Sequence, residues 1–504
     1  MSKPKADSRM WIRIVALALA GLLLLGVIFS ATAVFAEEAP ANDRYDLHLE
    51  VMPDAQTVQV TQTIDYTNRT GRALRSMMFS VYANCLRRQS TVPVEDALFS
   101  DAFPAGYAPG GVDFMRVQVN GKDAEWGMQG EGELFMRVEC SLQPGETAQF
   151  GFEYYVLLPE YSGAMGVGDL GWRLTNFYPS PAVWDEYLED FPLNDYTAVI
   201  EPMHSGAADF HVTMTLPETY HLAAPGQVNA LPDGEGMVDY EINAEDIREL
   251  ALIFSRKTFE REAAAASGAK VRVLANTTGA AQSILDAALP AMNWLEETFG
   301  AYPWPALTII ETDYIYEGAA YPGVIQISKG LTGPMQGGEL EDEIVLLCMK
   351  QYFSGIVGSS RSRAPWLSEA VSSFVRLLYF EEKNGYNDFM KRLNAQVLPA
   401  LNITIPGGVT VDSEAGRFTS RMEFELAVVD RGVTVLYEMR QAMGEEIFLE
   451  GLKEYVEAGW LDNTTASDFL AAMNTVSGSR WDEYLFGQMH TIDDYVGMGL
   501  EWFE

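Results

Sequence analysis

Residues Glu341 to Ala370 read E-D-E-I-V-L-L-C-M-K-Q-Y-F-S-G-I-V-G-S-S-R-S-R-A-P-W-L-S-E-A, and this stretch decides the fold. Ile344, Val345, Leu347, Cys348, Tyr352 and Ile356 recur at helical spacing, which predicts an amphipathic helix over the first half. Ala364-Pro365-Trp366-Leu367-Ser368-Glu369 then reads as a turn into a second helix, with Pro365 near its first position. Two helices in sequence, joined by a Gly/Ser/Arg-rich connection, form the unit around which the rest is arranged.

This unit resembles the active-site core of the aminopeptidase N (membrane alanyl aminopeptidase) family of zinc metallopeptidases. The family pattern is H-E-x-x-H-Q-W, then V-G, then P-W-L-D-E-G, with eighteen residues between the second His and the last Glu. Gln351-Tyr352, Val357-Gly358 and Pro365-Trp366-Leu367-Ser368-Glu369 stand at those places, and eighteen residues separate Lys350 from Glu369. The resemblance implies a gluzincin fold, a zinc cofactor and aminopeptidase activity.

The residues at the chemical positions imply the opposite. Leu346 and Lys350 stand where the resemblance puts two histidine ligands, and Leu347 stands at the general base; Glu369 alone remains of the ligand set. Positions i and i+4 share one helix face and would converge on a metal. A leucine offers no lone pair, and neither does an ammonium. The five histidines are His48, His204, His211, His221 and His490, so none lies between Leu222 and Met489. Zinc lowers the pKa of its bound water from about 15.7 to about 7, and a general base contributes about 10²–10⁴ in rate. Peptide hydrolysis by the family route is therefore not expected, and no cofactor is expected. Lys350 is expected to pair with Glu369 in the metal's place, with Leu346 and Leu347 filling the vacated volume.

Two further motifs have lost their chemistry in the same way. Gly318-Ala319-Ala320-Tyr321-Pro322-Gly323 resembles the family's substrate-binding edge, whose Glu holds the substrate's α-amino group; Ala320 takes that place. Glu317, three residues earlier, reads as an exposed loop acid. Val429-Asp430-Arg431-Gly432 resembles a Y-x-K-G segment whose Tyr stabilises the tetrahedral intermediate, and Val429 takes the Tyr place.

Composition limits the function classes. A 504-residue chain with 48% hydrophobic and 21% charged residues is globular and long enough for two or three cores. The net charge is −37, and the first 36 residues carry +3, which leaves about −40 on the body. Such a field repels phosphate backbones and disfavours nucleic acid as a partner. Ile14 to Ala36 is an uncharged run of 23 behind Lys3, Lys5, Arg9 and Arg13, the pattern of a secretory signal or an N-terminal membrane anchor. An extracytoplasmic protein, membrane-anchored or secreted, is expected. Cys85 and Cys140 are read either as a pair or as two free thiols, and Cys348 as a core residue.

The fold class expected is α+β: residues 1–41 signal or anchor, 42–260 a saddle-like N-terminal β-sandwich, 261–504 a thermolysin-like, mostly helical domain. Alternation at Tyr45, Leu47, Leu49 and Val51, at Val58, Val60, Ile64 and Tyr66, and at Phe210, Val212, Met214 and Leu216 predicts strands. Asn120-Gly121 predicts a hairpin turn. Asn176-Phe177-Tyr178-Pro179 with Trp184-Asp185 also resembles the N-terminal domain of the same family. The Ala/Gly-rich composition over 260–269 marks the expected domain boundary, and helices are expected over 364–385, 413–444, 466–478 and 481–489.

Three functions fit these residues. The first is a metal-free pseudopeptidase binding a peptide or protein partner along the edge Gly318, Ala319, Ala320 and Tyr321. The second is an active metallo-aminopeptidase with a non-standard site. The third is a structural subunit of a membrane complex.

Overall fold

The computed structural model describes residues 42–489, apart from 186–187, 203, 257, 334–336, 404 and 406–407. The expected signal or anchor and His490 lie outside the described residues. Among the described residues no helix is long and apolar enough to cross a membrane.

The N-terminal half is built from an eight-stranded sheet and two four-stranded sheets. Its first strand, Asp43–Met52, shows why: Tyr45, Leu47 and Leu49 are buried while Asp46, His48 and Glu50 face water. That period of two lays every apolar side chain on one face. The strand pairs antiparallel with Thr57–Thr67 and parallel with Ala208–Pro217, a non-local pairing about 165 residues away in register. A second sheet closes over the first, and Phe79 on Leu74–Ser80 packs edge-on against Phe150 and Phe152 at centroid distances of 5.1 and 5.2 Å. The N-terminal half is therefore sheet-rich, as expected, with two of its sheets in side-chain contact. Asn120 (φ 51°) and Gly121 (φ 72°) both take left-handed backbone, the geometry that the tight hairpin turn requires.

The C-terminal half opens with a five-stranded mixed sheet, ordered Phe259–Ala264, Lys270–Ala275, Ala306–Thr312, Val324–Ser328 and Gly318–Tyr321. The expected boundary at 260/261 falls inside the first of these strands, because the Ala/Gly-rich stretch turns a hairpin. Helix α1 (Thr278–Phe299) connects two parallel strands, and Thr277 caps it by accepting from the Ala280 amide. Helices α2 (Gly337–Lys350), α3 (Glu369–Asn384), α4 (Tyr386–Asn402), α5 (Arg431–Met443), α6 (Glu445–Ala458), α7 (Ala466–Ser477) and α8 (Asp482–Met489) follow. The expected helix over 413–444 is instead a turn of helix at Arg421–Phe424, a π-helical segment Glu425–Asp430 and then α5. Helices α4 and α6 have no counterpart in the sequence reading.

The halves share buried surface. Ala223, Ala251 and Ile253 of the sandwich form one apolar cluster with Leu274, Ile310, Tyr321 and Val324 of the mixed sheet. Arg248, 7% exposed, donates to the Gly355, Ile356 and Ser205 carbonyls and to Asn463 Oδ1 (2.7–3.2 Å). A guanidinium with this many acceptors ties the end of the α2 rod to the N-terminal half.

The three cysteines are unpaired, which decides between the two readings of Cys85 and Cys140. Burial pushes all three thiols up, that of Cys140 to about 11.

Candidate functional site

The rod that carries the site starts as α2 and continues as a π-helical turn, Gln351–Ile356, in which Phe353 leaves helical geometry. Ile344, Val345, Leu347, Cys348 and Met349 are buried, so one face is anchored in the core. Glu339 in the first turn and Lys350 in the last complement the helix dipole. Wide turns of this kind often accompany functional sites because they re-aim the side chains that follow.

Gln351 holds the edge strand in place. Its side chain is 1% exposed; Nε2 donates to the Tyr321 carbonyl (3.0 Å), and Oε1 accepts from the Gly323 amide (3.0 Å) and the Tyr302 hydroxyl (2.8 Å). One amide thus pins the Pro322-Gly323 turn to α2. Gly323 has φ 75°, and a Cβ there would meet Pro225 at 3.0 Å.

Lys350 Nζ donates to Glu369 Oε2 at 2.7 Å, bridging α2 and α3. The two side chains are 21% and 15% exposed, so the pair is largely withdrawn from water but not sealed off from it. Burial acts to raise the Glu369 carboxyl, but Lys350, then Arg361 and Arg421, hold it below the usual carboxylate range. Leu346 is half-buried one turn earlier, and Leu347 is buried with its Cδ1 2.5 Å from where a Cβ on Gly318 would sit. Gly318, Ala319 and Ala320 are half-buried along the outermost strand of the sheet. Tyr321, the last residue of the expected edge, turns its side chain inward. It is 1% exposed, packs in the core between the halves, and its hydroxyl donates to Glu201 Oε1 at 3.1 Å. Val429 is buried in the second π-helical segment, among apolar neighbours Leu426, Ala427 and Val428.

Four charged residues that act electrostatically on this pair were not singled out in the sequence. Burial raises Glu343 to about 7, against the pull of Lys350, with Glu317 adding repulsion. Glu343 lies three and seven residues before Leu346 and Lys350, so helical spacing could have revealed it. Arg421 sits 3.6 Å from Glu425, 4.0 Å from Glu317 and over the Tyr316 ring at 4.3 Å. Glu317 itself is exposed, as expected. Burial also raises Glu425, against Arg421, with Glu369 adding repulsion. Arg361 bonds Ser354 Oγ at 2.8 Å and faces Glu249 Oε2 at 4.0 Å. Arg421, Glu425 and Arg361 reach the site only through tertiary folding.

The donor set does not fit a zinc ion. The face that would supply two nitrogen ligands presents an isobutyl group and an ammonium, and Glu369 already accepts from that ammonium. Among the described residues no group of three or more His, Cys, Asp or Glu converges as ligands. Two histidines of the N-terminal half have other partners: His48 bonds Thr213 (2.9 Å), and His211 bonds Asp46 (2.9 Å) and Glu241 (3.4 Å). Burial pushes His204 down to about 4, with Arg248 adding to the effect.

No family model matches the sequence, and no curated protein matches it. Solved structures do. The M1 zinc metallopeptidase from Deinococcus radiodurans is similar over 91% of this chain and 96% of its own, with TM-score 0.63 and 16% identity. A glutamate-to-alanine mutant of that enzyme matches over 90% and 95%, with TM-score 0.61 and 17% identity. A two-domain M1 zinc metallopeptidase mutant bound to L-arginine matches over 90% and 94%, again with TM-score 0.61 and 17% identity. The chain has the two-domain M1-peptidase-like fold: a sheet-rich N-terminal part and a helical C-terminal part.

Proposed function

We propose that this chain is an exported pseudopeptidase, in which a peptidase-shaped cleft binds a peptide segment of a partner without cutting it. One observation carries the reading: Lys350 and Glu369 are joined at 2.7 Å on the wall where hydrolysis would need a metal-activated water. Leu347 places carbon where a general base would stand, and Val429 places it where a phenol would meet an oxyanion. The cleft keeps its recognition element. Gly318–Tyr321 is the last strand of its sheet, and such an edge can add an extended peptide through main-chain hydrogen bonds. Export rests on the basic start and the apolar run Ile14 to Ala36.

The test pairs two measurements on the purified chain. Aminoacyl-nitroanilide and peptide substrates should show no chelator-sensitive release of amino-terminal residues. Extended peptides should bind and perturb amide signals of residues 318–321. Release of amino acids that stops on adding a chelator would overturn the reading in favour of an active metallo-aminopeptidase. Peptides that leave residues 318–321 unperturbed would favour a structural subunit.

A further inference from the structure

The misfit between this cleft and a zinc ion points to a replacement rather than a simple loss. We infer that Lys350 is a tethered cation, holding the charge position a divalent metal would hold, and that its ammonium is what makes the site refuse metal. The inference deepens the pseudopeptidase reading, on which it rests for the absence of a metal-dependent step.

The argument starts from charge. Glu369 comes from the first turn of α3 and is mostly buried, at 15% exposure. A carboxylate in that position needs a positive partner, because an unpaired buried charge costs several kcal/mol. Lys350 provides it at 2.7 Å, a charge-assisted hydrogen bond from the facing helix. The other cations that act on Glu369 are engaged elsewhere. Arg361 is bonded to Ser354 and faces Glu249, and Arg421 lies between Glu425 and Glu317. No other hydrogen-bonded or ion-paired cation of Glu369 is found among the described residues.

The second strand of the argument is volume. A metal with its water ligands needs open space beside the carboxylate. Here Leu347 is 1% exposed and packs within van der Waals reach of the Gly318 backbone, while Leu346 is half-buried one turn before Lys350. A cation that arrives with the chain needs no coordination sphere, so aliphatic side chains can close on it. Refilling with carbon and supplying a lysine are then one coupled change. An aliphatic wall alone would leave Glu369 unpaired, and a lysine alone would leave a void.

The converse defines the experiment. Restoring lone-pair donors on the same helix face should recreate a metal position, because Glu369 already points at that face. Three forms of the full chain are compared for zinc content after dialysis and for melting temperature with added zinc chloride or with chelator. They are the wild type, Lys350→Met, and the double variant Leu346→His with Lys350→His. The wild type should carry no stoichiometric zinc and melt at the same temperature in zinc and in chelator. Lys350→Met, which keeps the volume and removes the charge, should melt several degrees lower. The double variant should bind about one zinc per chain, as two imidazoles and a carboxylate allow, and its melting temperature should rise with zinc and fall with chelator.

Stoichiometric zinc in the wild type would overturn the inference. So would a Lys350→Met protein that melts with the wild type, or a folded double variant that takes up no zinc. Should the double variant fail to fold even with zinc present, Lys350→Met decides alone. None of these outcomes depends on peptide binding. Failure of the peptide measurements with these results intact would remove the proposed ligand and leave the tethered cation standing.

Discussion

Glu249 offers the sharpest quantitative test of how the two halves are joined. It is 2% exposed, its Oε1 has no hydrogen-bond partner among the described residues, and its Oε2 lies 4.0 Å from Arg361. Burial raises its carboxyl to about 8; Arg361 acts downward and Glu201 adds repulsion. The ordinary value lies near 4.5, so between about pH 4.5 and 8 the unfolded chain gives up a proton that the folded chain keeps. Glu249 therefore favours the folded state at low pH, and that contribution falls as pH rises through this window, levelling above about 8. One pKa unit corresponds to about 1.4 kcal/mol, which puts the full change on the order of a few kcal/mol. At about 2 cal/mol/K per residue, roughly 1 kcal/mol moves the melting temperature of a chain this long by about 1 °C.

Glu249→Gln keeps the shape and removes the titration. Melting temperatures of both proteins are measured by circular dichroism at half-unit steps from pH 5 to 9. The variant should gain on the wild type by a few degrees between pH 5 and 8, and the gap should then stay constant. Buried acids that do not act on Glu249 tilt both curves alike, whereas Glu201, which repels Glu249, shifts with the substitution, so the difference reports the titration of the Glu249–Glu201 pair. Parallel curves across the window would refute the reasoning. A gap that widens towards acid would refute its sign.

Two further outcomes follow from packing. Gly318→Ala places a methyl 2.5 Å from Leu347 Cδ1 and 3.0 Å from the Gln326 carbonyl, and should cost about 1–3 kcal/mol in urea unfolding. Adding Leu347→Ala should recover part of that loss, with a coupling of about 0.5 kcal/mol or more; strictly additive costs would sink the contact. With three unpaired cysteines, reductant should leave the melting temperature unchanged. Cys85 and Cys348, both buried, should react with a maleimide only after unfolding, while half-buried Cys140 should react slowly in the native state. Rapid labelling of all three would contradict their burial.

Different parts of the molecule were legible to different degrees. The strands Asp43–Met52, Thr57–Thr67 and Ala208–Pro217 could be read because one face of each is buried, which imposes period-two alternation. Their mutual pairing could not, because it joins Tyr45 to Phe210 across 165 positions and depends on the whole sheet. The rod from Glu341 to Ile356 could be read as helical, but its switch to a wide turn at Gln351 could not. That switch reflects packing of Tyr352 and Phe353 against α1 and the bonds of Gln351 to the edge strand. Helix α4 went unread although Phe389, Leu393, Val397, Ala400 and Leu401 recur at helical spacing, and Pro399 lies inside it as a residue that ordinarily breaks a helix.

What the sequence by itself determined is the inventory of chemistry. Side-chain functional groups do not depend on folding, so Leu346, Leu347, Lys350, Ala320 and Val429 offer no imidazole, carboxylate or phenol wherever they end up. Only the tertiary structure decided which charges meet. Tyr321 turned inward to Glu201, and Arg421 came up beside Glu317 from about a hundred residues away. Lys350 closed on Glu369 at hydrogen-bonding distance. Coulomb energy and desolvation depend on separation and burial, and both are properties of the packed helices rather than of any single segment.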